Sequence, residues 1–337
     1  SNHNHKAMMH LKRIALPAGF ASLAISQAAA QPAAPVPVAR NGEKPRNVIF
    51  ILSDDHRYDF MGFTGAVPWL QTPALDRMAR EGACLKNAFV TTSLSSPSRA
   101  SILTGLFTHT HTVVDNQAPK PDDLVFFPQY LQQNGYRTAF FGKWHMGNQD
   151  DMPQPGFDHW EGFRGQGTYY NTVLNINGER VKFDPELYST DILTDHAIDF
   201  VRDNEEGPFF IYLSYKSVHS GFQPSPSRKG MYKDEKAVYP PSFNVPEYGI
   251  PRLPSKDADG RPLAGRGWYG ENRLPDWVKN QRESWHGVDY QYHGALPYEE
   301  DFRNYCETVT SMDDAIGRLL DFLQAEGLGE STLVIYM

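Results

Sequence analysis

The 337-residue sequence contains little cysteine, no excess of positive charge and no apolar run long enough for a membrane span. Its two cysteines, Cys84 and Cys306, form no CxxC motif or Cys/His cluster, which argues against a zinc site. A disulfide between them is compatible with the sequence, but two buried free thiols are favoured. The net charge of −8 argues against nucleic acid as a partner, since nucleic-acid binding needs a basic face. The net charge does not exclude binding of a small anionic substrate, because a few local cations can hold one.

The first 45 residues resemble targeting and linker sequence. Lys12 and Arg13 form a basic region, the run IALPAGFASLAIS is apolar, and Ala28 to Ala30 fit a small-residue cleavage site. Residues 1–30 are therefore predicted to be a tag remnant and a signal peptide, and residues 31–45 a Pro/Ala linker. The apolar run is too short and too rich in alanine to span a bilayer. We expect an exported protein, periplasmic or secreted.

From residue 46 onward, short apolar runs alternate with segments of helical periodicity. Strands are predicted within 46–55, 136–147, 208–220 and 332–337, and helices within 72–83, 95–106, 123–136, 189–204 and 300–327. This alternation predicts an α/β fold with a mostly parallel central sheet flanked by helices. Residues 220–300, rich in Pro, Gly, Tyr and Trp, are interpreted as a loop-rich insertion whose aromatic residues pack on the surface or line a cleft.

Polar residues follow three of the predicted strands, where ligands of parallel α/β sheets bind. Asp54 and Asp55 end the first strand, and two adjacent carboxylates suit a hard cation such as calcium, although a bare pair more often caps a helix or faces solvent. The second strand is followed by Lys143 and His145, and the third by Lys216 and His219. A lone histidine is more often structural than catalytic, but two Lys/His pairs at strand ends favour a site.

The segment SSPSRASILTG, residues 95–105, predicts the start of a helix. Ser95 or Ser96 would cap this helix, and Pro97 suits its first turn. A helix N-terminus attracts anions, although on these grounds alone the segment is an ordinary capping motif. With Arg99 and the strand-end residues, it favours sulfuryl or phosphoryl transfer assisted by a divalent cation.

These motifs resemble those of the type I sulfatases, in the alkaline-phosphatase superfamily. Residues 95–105 match the family pattern of Cys or Ser, any residue, Pro, Ser, Arg and, five positions later, Thr-Gly. The segments NVIFILSDD, GYRTAFFGKWHMG and YKSVH follow the family order, so the likeness covers residues 46–337. It implies a catalytic α/β domain over this range and hydrolysis of sulfate esters with a calcium ion. It also implies that a formylglycine-generating maturation enzyme oxidises Ser95.

The resemblance assigns a role to each site residue. Asp54, Asp55 and the modified Ser95 would be calcium ligands. Arg99 would orient the formylglycine, and Lys143 would bridge the nucleophile and a sulfate oxygen. The remaining assignments are His145 as the base that deprotonates the second hydroxyl of the hydrated aldehyde, His219 as a general acid at the leaving oxygen, and Lys216 as a substrate contact or a surface lysine.

The run THTHTVVDN, residues 108–116, is similar to glucosamine-6-sulfatase-like members and places His111 among the substrate-binding candidates. It suggests a sulfated saccharide as substrate, with a 6-O-sulfated hexosamine as one form. Two other functions stay open: a phosphonate or phosphodiester hydrolase of the same superfamily, and a non-catalytic remnant that binds sulfated glycans. An engineered serine in place of a catalytic cysteine at Ser95 also stays open.

The last predicted strand, TLVIYM, has no polar segment after it. In the family, such a strand is followed by the remaining calcium ligands, a further lysine and a smaller C-terminal domain. The sequence is therefore expected to be a truncated or split sulfatase that lacks its C-terminal part, with a missing C-terminal fragment as a partner.

Overall fold

The computed structural model describes residues 45–147, 150–204, 207–240 and 298–337. The described strands are β1 (Asn47–Leu52), β2 (Arg137–Lys143), β3 (His159–Phe163), β4 (Val173–Ile176), β5 (Glu179–Lys182), β6 (Phe209–Ser214) and β7 (Thr332–Tyr336). The α-helices are α1 (Pro73–Glu81), α2 (Ser95–Thr104), α3 (Thr108–His111), α4 (Phe127–Gln133), α5 (Ser189–Arg202) and α6 (Tyr298–Ala325). Short 3-10 helices cover Gly62–Thr64 and Gly329–Ser331.

The strands form one sheet in the order β5-β4-β3-β2-β6-β1-β7. Every pairing from β3 across to β7 is parallel, whereas β4 and β5 add an antiparallel hairpin at one edge. The predicted α/β fold with a mostly parallel central sheet is confirmed. Its central strands β2, β6 and β1 are neighbours, so the polar residues that follow them meet at one edge of the sheet.

Alternate residues of each central strand enter two apolar cores, one on each face of the sheet. In β6, for example, Ile211 and Leu213 pack with α1, α5 and α6, whereas Phe210 and Tyr212 pack with residues of α2 and the start of α4. Strands that are buried on both faces are continuously apolar, which is why the pattern in the sequence predicts them well. The sheet is therefore a rigid support for the loops at its carboxyl edge.

Every strand and helix predicted from the sequence is present in the structure, which also contains elements that the sequence did not predict. Helix α4 is shorter than the predicted 123–136 and begins at Phe127, before Pro128. Strands β3, β4 and β5 and helix α3 were not predicted. The hairpin between β4 and β5 turns at Asn177-Gly178, both with positive φ, and this dipeptide is a strong hairpin signal in the sequence.

Both cysteines are free, as favoured, but Cys84 is exposed, so only Cys306 is a buried thiol. Of the segments predicted from the sequence, 1–30, most of 31–45 and most of the insertion 220–300 lie outside the described residues. Residues 220–240 form turns and coil, whereas Tyr298 already belongs to α6. Among the described residues, no helix combines the length and apolarity needed to cross a membrane.

Candidate active site

The segments that follow β1 and β6 are joined by backbone hydrogen bonds beyond the ends of the strands. The amide of Asp54 donates to the carbonyl of Ser217 over 2.8 Å, and the amide of Val218 donates to the carbonyl of Asp54 over 2.7 Å. The backbone of Asp55 has a φ of 60°, which turns the chain sharply after Asp54. As a result the Asp54 carboxyl is buried, whereas the Asp55 side chain is half exposed at the edge of the site.

Lys143 lies at the centre of the site, and its side chain is fully buried. Its ammonium donates hydrogen bonds to the Asp54 carboxylate, to the Gln166 side-chain carbonyl and, over 3.3 Å, to Ser95 Oγ. All three donors of the ammonium therefore have acceptors. The Asp54 contact and the Ser95 contact together make Lys143 the link between the predicted metal ligands and the predicted nucleophile.

Arg99 extends from α2 and packs under this group of residues. Its Nη1 donates to the backbone carbonyl of Lys143 over 2.8 Å and to Ser214 Oγ over 2.6 Å, and its Nη2 lies 3.5 Å from Asp54 Oδ1. Ser214 Oγ in turn donates to the same Lys143 carbonyl. The described contacts of Arg99 thus fix the ends of β2 and β6 and hold Asp54. The side chains of Arg99 and Ser95 are not in direct contact, so no contact corresponds to the expected role of Arg99 in orienting Ser95.

Neither Ser95 nor Ser96 caps α2, contrary to the prediction. Leu94 is the N-cap residue, no side chain caps the helix, and Ser95 is its first helical residue. The Ser96 hydroxyl donates to the carbonyl of His145, and the Ser96 amide donates to Asn116 Oδ1 over 2.9 Å. Because Ser95 is free of a capping role, its half-buried hydroxyl faces Lys143 at the positive end of the helix.

The two predicted catalytic histidines are buried and neutral. Burial, with the charge of Lys143, lowers the pKa of His145 to about 3. The His145 backbone has a φ of 50°, and its Nδ1 is buried without a hydrogen-bond partner among the described residues. Burial, again with Lys143, lowers the pKa of His219 to about 4, and its Nε2 lies 3.6 Å from Asp55 Oδ2. His145 thus offers a ring nitrogen with no protein partner, which a reacting group could use.

The charges of the site are strongly coupled. Burial tends to raise the pKa of Asp54, but Lys143 and Arg99 outweigh it and lower that pKa to about 2. Burial and the neighbouring Asp54 charge raise the pKa of Asp55. Burial lowers the pKa of Lys143 to about 8, because the attraction of Asp54 only partly offsets the loss of water. Asp54 is therefore ionised at neutral pH, and Asp55 carries an unrelieved repulsion from it.

The two predicted substrate contacts differ in position. Lys216 is buried next to the site, with its ammonium 4.9 Å from the centre of the Tyr169 ring, and burial lowers its pKa. His111, in contrast, is fully buried between α2 and α3. Its Nδ1 accepts from the Val113 amide over 3.1 Å and its Nε2 lies 3.0 Å from Ser101 Oγ. Both ring nitrogens of His111 are occupied by the protein, so the geometry gives it a structural role and does not support substrate contact.

The donor set of Asp54, Asp55 and Ser95 fits calcium in kind. Calcium takes carboxylate and other oxygens, and a divalent ion would offset both the burial and the repulsion from Asp54 that raise the pKa of Asp55. In number the described residues fall short, because calcium takes about six to eight oxygens. Within the described ranges, no cluster of three or more His, Cys, Asp or Glu side chains could hold a metal ion. The described donor set therefore fits calcium in kind but does not by itself complete a calcium site.

Sequence reasoning missed Gln166 and Ser214, the side chains that complete the hydrogen bonding of Lys143 and Arg99. Gln166 follows β3, which was itself not predicted, and lies between Gly165 and Gly167, both with positive φ. Such a Gly-x-Gly turn at a strand end is the one signal in the sequence that could have drawn attention to it. Ser214 is the last residue of β6 and carries no comparable signal.

Comparison with known proteins identifies the family of the chain. The family model described as Sulfatase matches residues 46–337. The chain is 32% identical over 330 residues to an N-acetylglucosamine-6-O-sulfatase of Bacteroides thetaiotaomicron, covering 87% of this chain and 57% of the relative. An extracellular sulfatase SULF-1 homolog of Drosophila melanogaster is 25% identical over 309 residues, which are 87% of this chain and 25% of that protein.

Solved structures give the same result. The chain resembles BT4656, solved in complex with its substrate D-glucosamine-2-N,6-O-disulfate, with a TM-score of 0.64 and 28% identity, over 87% of this chain and 65% of that one. The chain therefore spans less than two thirds of the length of each of these relatives. The match over residues 46–337, with the fold and the site residues, shows that the chain belongs to the sulfatase family.

Proposed function

We propose that this protein hydrolyses sulfate esters of a sulfated carbohydrate, with a 6-O-sulfated hexosamine as the substrate form. The observation that carries the proposal is the buried Lys143 ammonium, which links the Asp54 carboxylate to the Ser95 hydroxyl at the positive end of α2. A relative at 32% identity is named an N-acetylglucosamine-6-O-sulfatase, which supports the hexosamine. The proposal is supported by the contacts of one buried cation with both a carboxylate and the residue proposed to carry the nucleophile.

Ser95 is proposed as the residue that the maturation enzyme oxidises to formylglycine, and Asp54, Asp55 and the modified Ser95 as calcium ligands. Formylglycine supplies a carbon that carries a hydroxyl nucleophile, and calcium supplies positive charge beside it. The half-buried position of Ser95 at the start of α2, with its hydroxyl free of any cap, fits this modification.

Lys143 and Lys216 supply the charge that a sulfate group needs. The terminal sulfate oxygens already carry negative charge, which cations held in place stabilise without reorganising, while the electron pair of the breaking S–O bond goes to the leaving oxygen. Lys143 would bind one sulfate oxygen from its position 3.3 Å from Ser95 Oγ. Lys216, buried beside the site, is proposed as a second contact, and Arg99 positions Asp54 and the end of β2.

The two histidines are proposed to move protons. His145 is neutral and its Nδ1 has no protein partner, so this atom can accept a proton from a hydroxyl group on residue 95. His219 is proposed to protonate the leaving oxygen of the sugar. Its pKa is low mainly because the ring is buried, and a bound sulfate would raise that pKa by adding negative charge.

We also propose that the protein is exported, to the periplasm or outside the cell. The basic and apolar segments within residues 1–30 support export, as does a relative named an extracellular sulfatase. An extracellular or periplasmic enzyme would meet polysaccharide substrates directly.

Sulfate release tests the proposed function. The protein, produced together with a formylglycine-generating enzyme, should release sulfate from N-acetylglucosamine-6-sulfate, and Ser95→Ala should not. Faster turnover of an aryl phosphonate than of any sulfate ester would instead favour the phosphonate hydrolase. Binding of the sulfated sugar that survives both chelation and Ser95→Ala, without turnover in the parent protein, would favour the glycan-binding function.

A further inference from the structure

A cleft of about 590 Å³ opens beside the candidate active site, between two loops. It is lined by Gln117, Pro119, Lys120, Asp122, Gly147, Asp150 and Gln154. Its volume lies in the range of small-molecule sites, roughly 300–1,000 Å³. The lining offers amides, a backbone turn, two carboxylates and one ammonium, which are the groups that bind hydroxyls and acidic substituents of sugars.

Both walls of the cleft are attached to Ser96, the residue after the predicted nucleophile. The first wall begins one residue after Asn116, whose side chain accepts a hydrogen bond from the Ser96 amide. The second wall begins with Gly147, two residues after His145, whose carbonyl accepts from the Ser96 hydroxyl. Two peptide units span at most about 8 Å, so the cleft begins within the reach of a saccharide that is bound at Ser95.

The loops that form the walls are held by their own acidic residues. Asp115 Oδ1 accepts from the amides of Gln117 and Ala118 over 2.8 and 2.7 Å. On the other side, Asp150 accepts from the amide of Met152 and from the side chain of Gln154, each over 2.9 Å. Because Asp150 is engaged in this turn, its carboxylate is satisfied within the protein, and the walls are formed before any ligand binds.

Among the described residues that line the cleft, Lys120 is the cation, and no carboxylate of the described residues lies within hydrogen-bond distance of its ammonium. Its side chain is 14% exposed, and its ammonium lies 6.0 Å from the centre of the buried Phe126 ring. The nearest carboxylate oxygen in an ion pair is that of Asp122, 3.9 Å away on a fully exposed side chain, and the Pro121 carbonyl accepts weakly at 3.5 Å. An ammonium with such distant partners, on a side chain that is mostly buried, gains a charged hydrogen bond from an anion that enters the cleft.

We propose that this cleft binds the saccharide beyond the scissile sulfate and that Lys120 pairs with a second acidic group of the same saccharide. The inference rests on the proposed function and deepens it, because it makes the substrate a polyanionic saccharide. The second acidic group is a sulfate on the same ring or a carboxylate on the neighbouring sugar, and both bind an ammonium through the same charged hydrogen bonds.

Calorimetric binding to the chain of residues 1–337 carrying Ser95→Ala tests this without turnover. The probes are N-acetylglucosamine-6-sulfate, glucosamine-2-N,6-O-disulfate and a disaccharide of N-acetylglucosamine-6-sulfate with a uronic acid. In this background Lys120→Ala should weaken binding of at least one doubly acidic probe by about tenfold or more, and leave the singly acidic probe within about twofold. The probe that loses affinity identifies the acidic group. Lys120→Arg should restore most of the affinity.

Lys233→Ala is the matched control, since the substitution removes the same charge from an exposed lysine. Lys233 follows Tyr232, which packs in the core on the opposite face of the sheet. Lys233→Ala should change no affinity. Equal effects of Lys120→Ala on all three probes, or no effect on any, would overturn the inference, as would an equal loss with Lys233→Ala. If Ser95→Ala binds none of the probes, the inference fails. The proposed function is judged separately, by sulfate release from N-acetylglucosamine-6-sulfate.

Discussion

The ammonium of Lys143 lies 3.3 Å from the hydroxyl of Ser95 and also donates to the carboxylate of Asp54. The three residues come from β2, the start of α2 and the segment after β1, so only the fold brings them together. Burial lowers the pKa of Lys143 and so disfavours its charged form, whereas the neighbouring Asp54 carboxylate stabilises that form. This balance gives the site a cation that is held in place before substrate arrives.

Lys143→Met should remove that cation and lower kcat for sulfate release by about 100-fold or more, because charge that develops in the transition state loses a fixed donor. In calcium-free buffer the variant should also be less stable, by about 3 kcal/mol, since Asp54 stays buried with Arg99 as its remaining cation. Steady-state kinetics and chemical denaturation measure the two effects. An unchanged kcat would contradict the role of Lys143.

Gln166→Ala should lower kcat by about tenfold with little change in KM, because Lys143 loses one acceptor and is less well positioned. Gln133→Ala, on an exposed position of α4, is the matched control and should leave both constants unchanged. If Gln166→Ala raises KM alone, Gln166 contacts substrate and does not position Lys143.

Calcium should raise the melting temperature of the wild-type protein, because the ion binds only the folded arrangement of Asp54 and Asp55. Asp55→Asn removes one carboxylate and the repulsion that raises the Asp55 pKa, so it should weaken or abolish the calcium response while leaving the calcium-free protein as stable or more stable. Differential scanning calorimetry with and without calcium measures both. An equal calcium response in wild type and Asp55→Asn would exclude Asp55 as a ligand.

The contact between His196 and Glu161 should make stability depend on pH. The hydrogen bond that protonated His196 donates to the Glu161 carboxylate raises the pKa of His196 above its ordinary value of 6.5. The folded state therefore binds this proton more tightly than the unfolded state does. The contribution of the contact to the free energy of unfolding is fully present below pH 6.5 and is lost as the pH rises through the raised pKa.

For Glu161, burial tends to raise the pKa, but the contacts with His159 and His196 outweigh burial and lower that pKa below its ordinary value of 4.5. That contribution is present above pH 4.5 and is lost as the pH falls through the lowered pKa.

The free energy of unfolding of His196→Gln, compared with wild type over this pH range, checks the prediction. The difference should be largest between the two ordinary pKa values, from pH 4.5 to pH 6.5, and should shrink on both sides. His109→Gln, at an exposed position of α3, should show no such pH dependence. A difference that grows at alkaline pH would show that the sign is wrong.

The sequence predicts the centre of the fold better than its edge. Strands β1, β2 and β6 are buried on both faces, so their apolar runs are visible without any partner. Strand β3 is a short segment, HWEGF, whose polar Glu161 pairs with two histidines, and no apolar pattern marks it. The hairpin of β4 and β5 consists of two four-residue strands that together hold as many polar as apolar residues, and its Asn-Gly turn is the clearest signal that it offers.

The same distinction holds for the site. Asp54, Lys143, His145, Lys216 and His219 were predicted because they follow apolar strands, and the structure brings them to one edge of the sheet. The Gly-x-Gly turn marks the position of Gln166 but not its role, because that role depends on a hydrogen bond to a residue 23 positions away in the sequence. The substrate contact proposed for His111 rested on a run of similar sequence, and the hydrogen bonds that bury the ring become visible only in the folded structure.

The central claim is that Ser95, once oxidised, carries the nucleophile. The most direct test is the mass of the peptide that contains Ser95, measured on protein produced with and without a formylglycine-generating enzyme, together with sulfate release by each preparation. The account predicts a peptide lighter by two hydrogen atoms and a rate of sulfate release proportional to the fraction of that peptide. Full activity from protein in which Ser95 is entirely unmodified would contradict it.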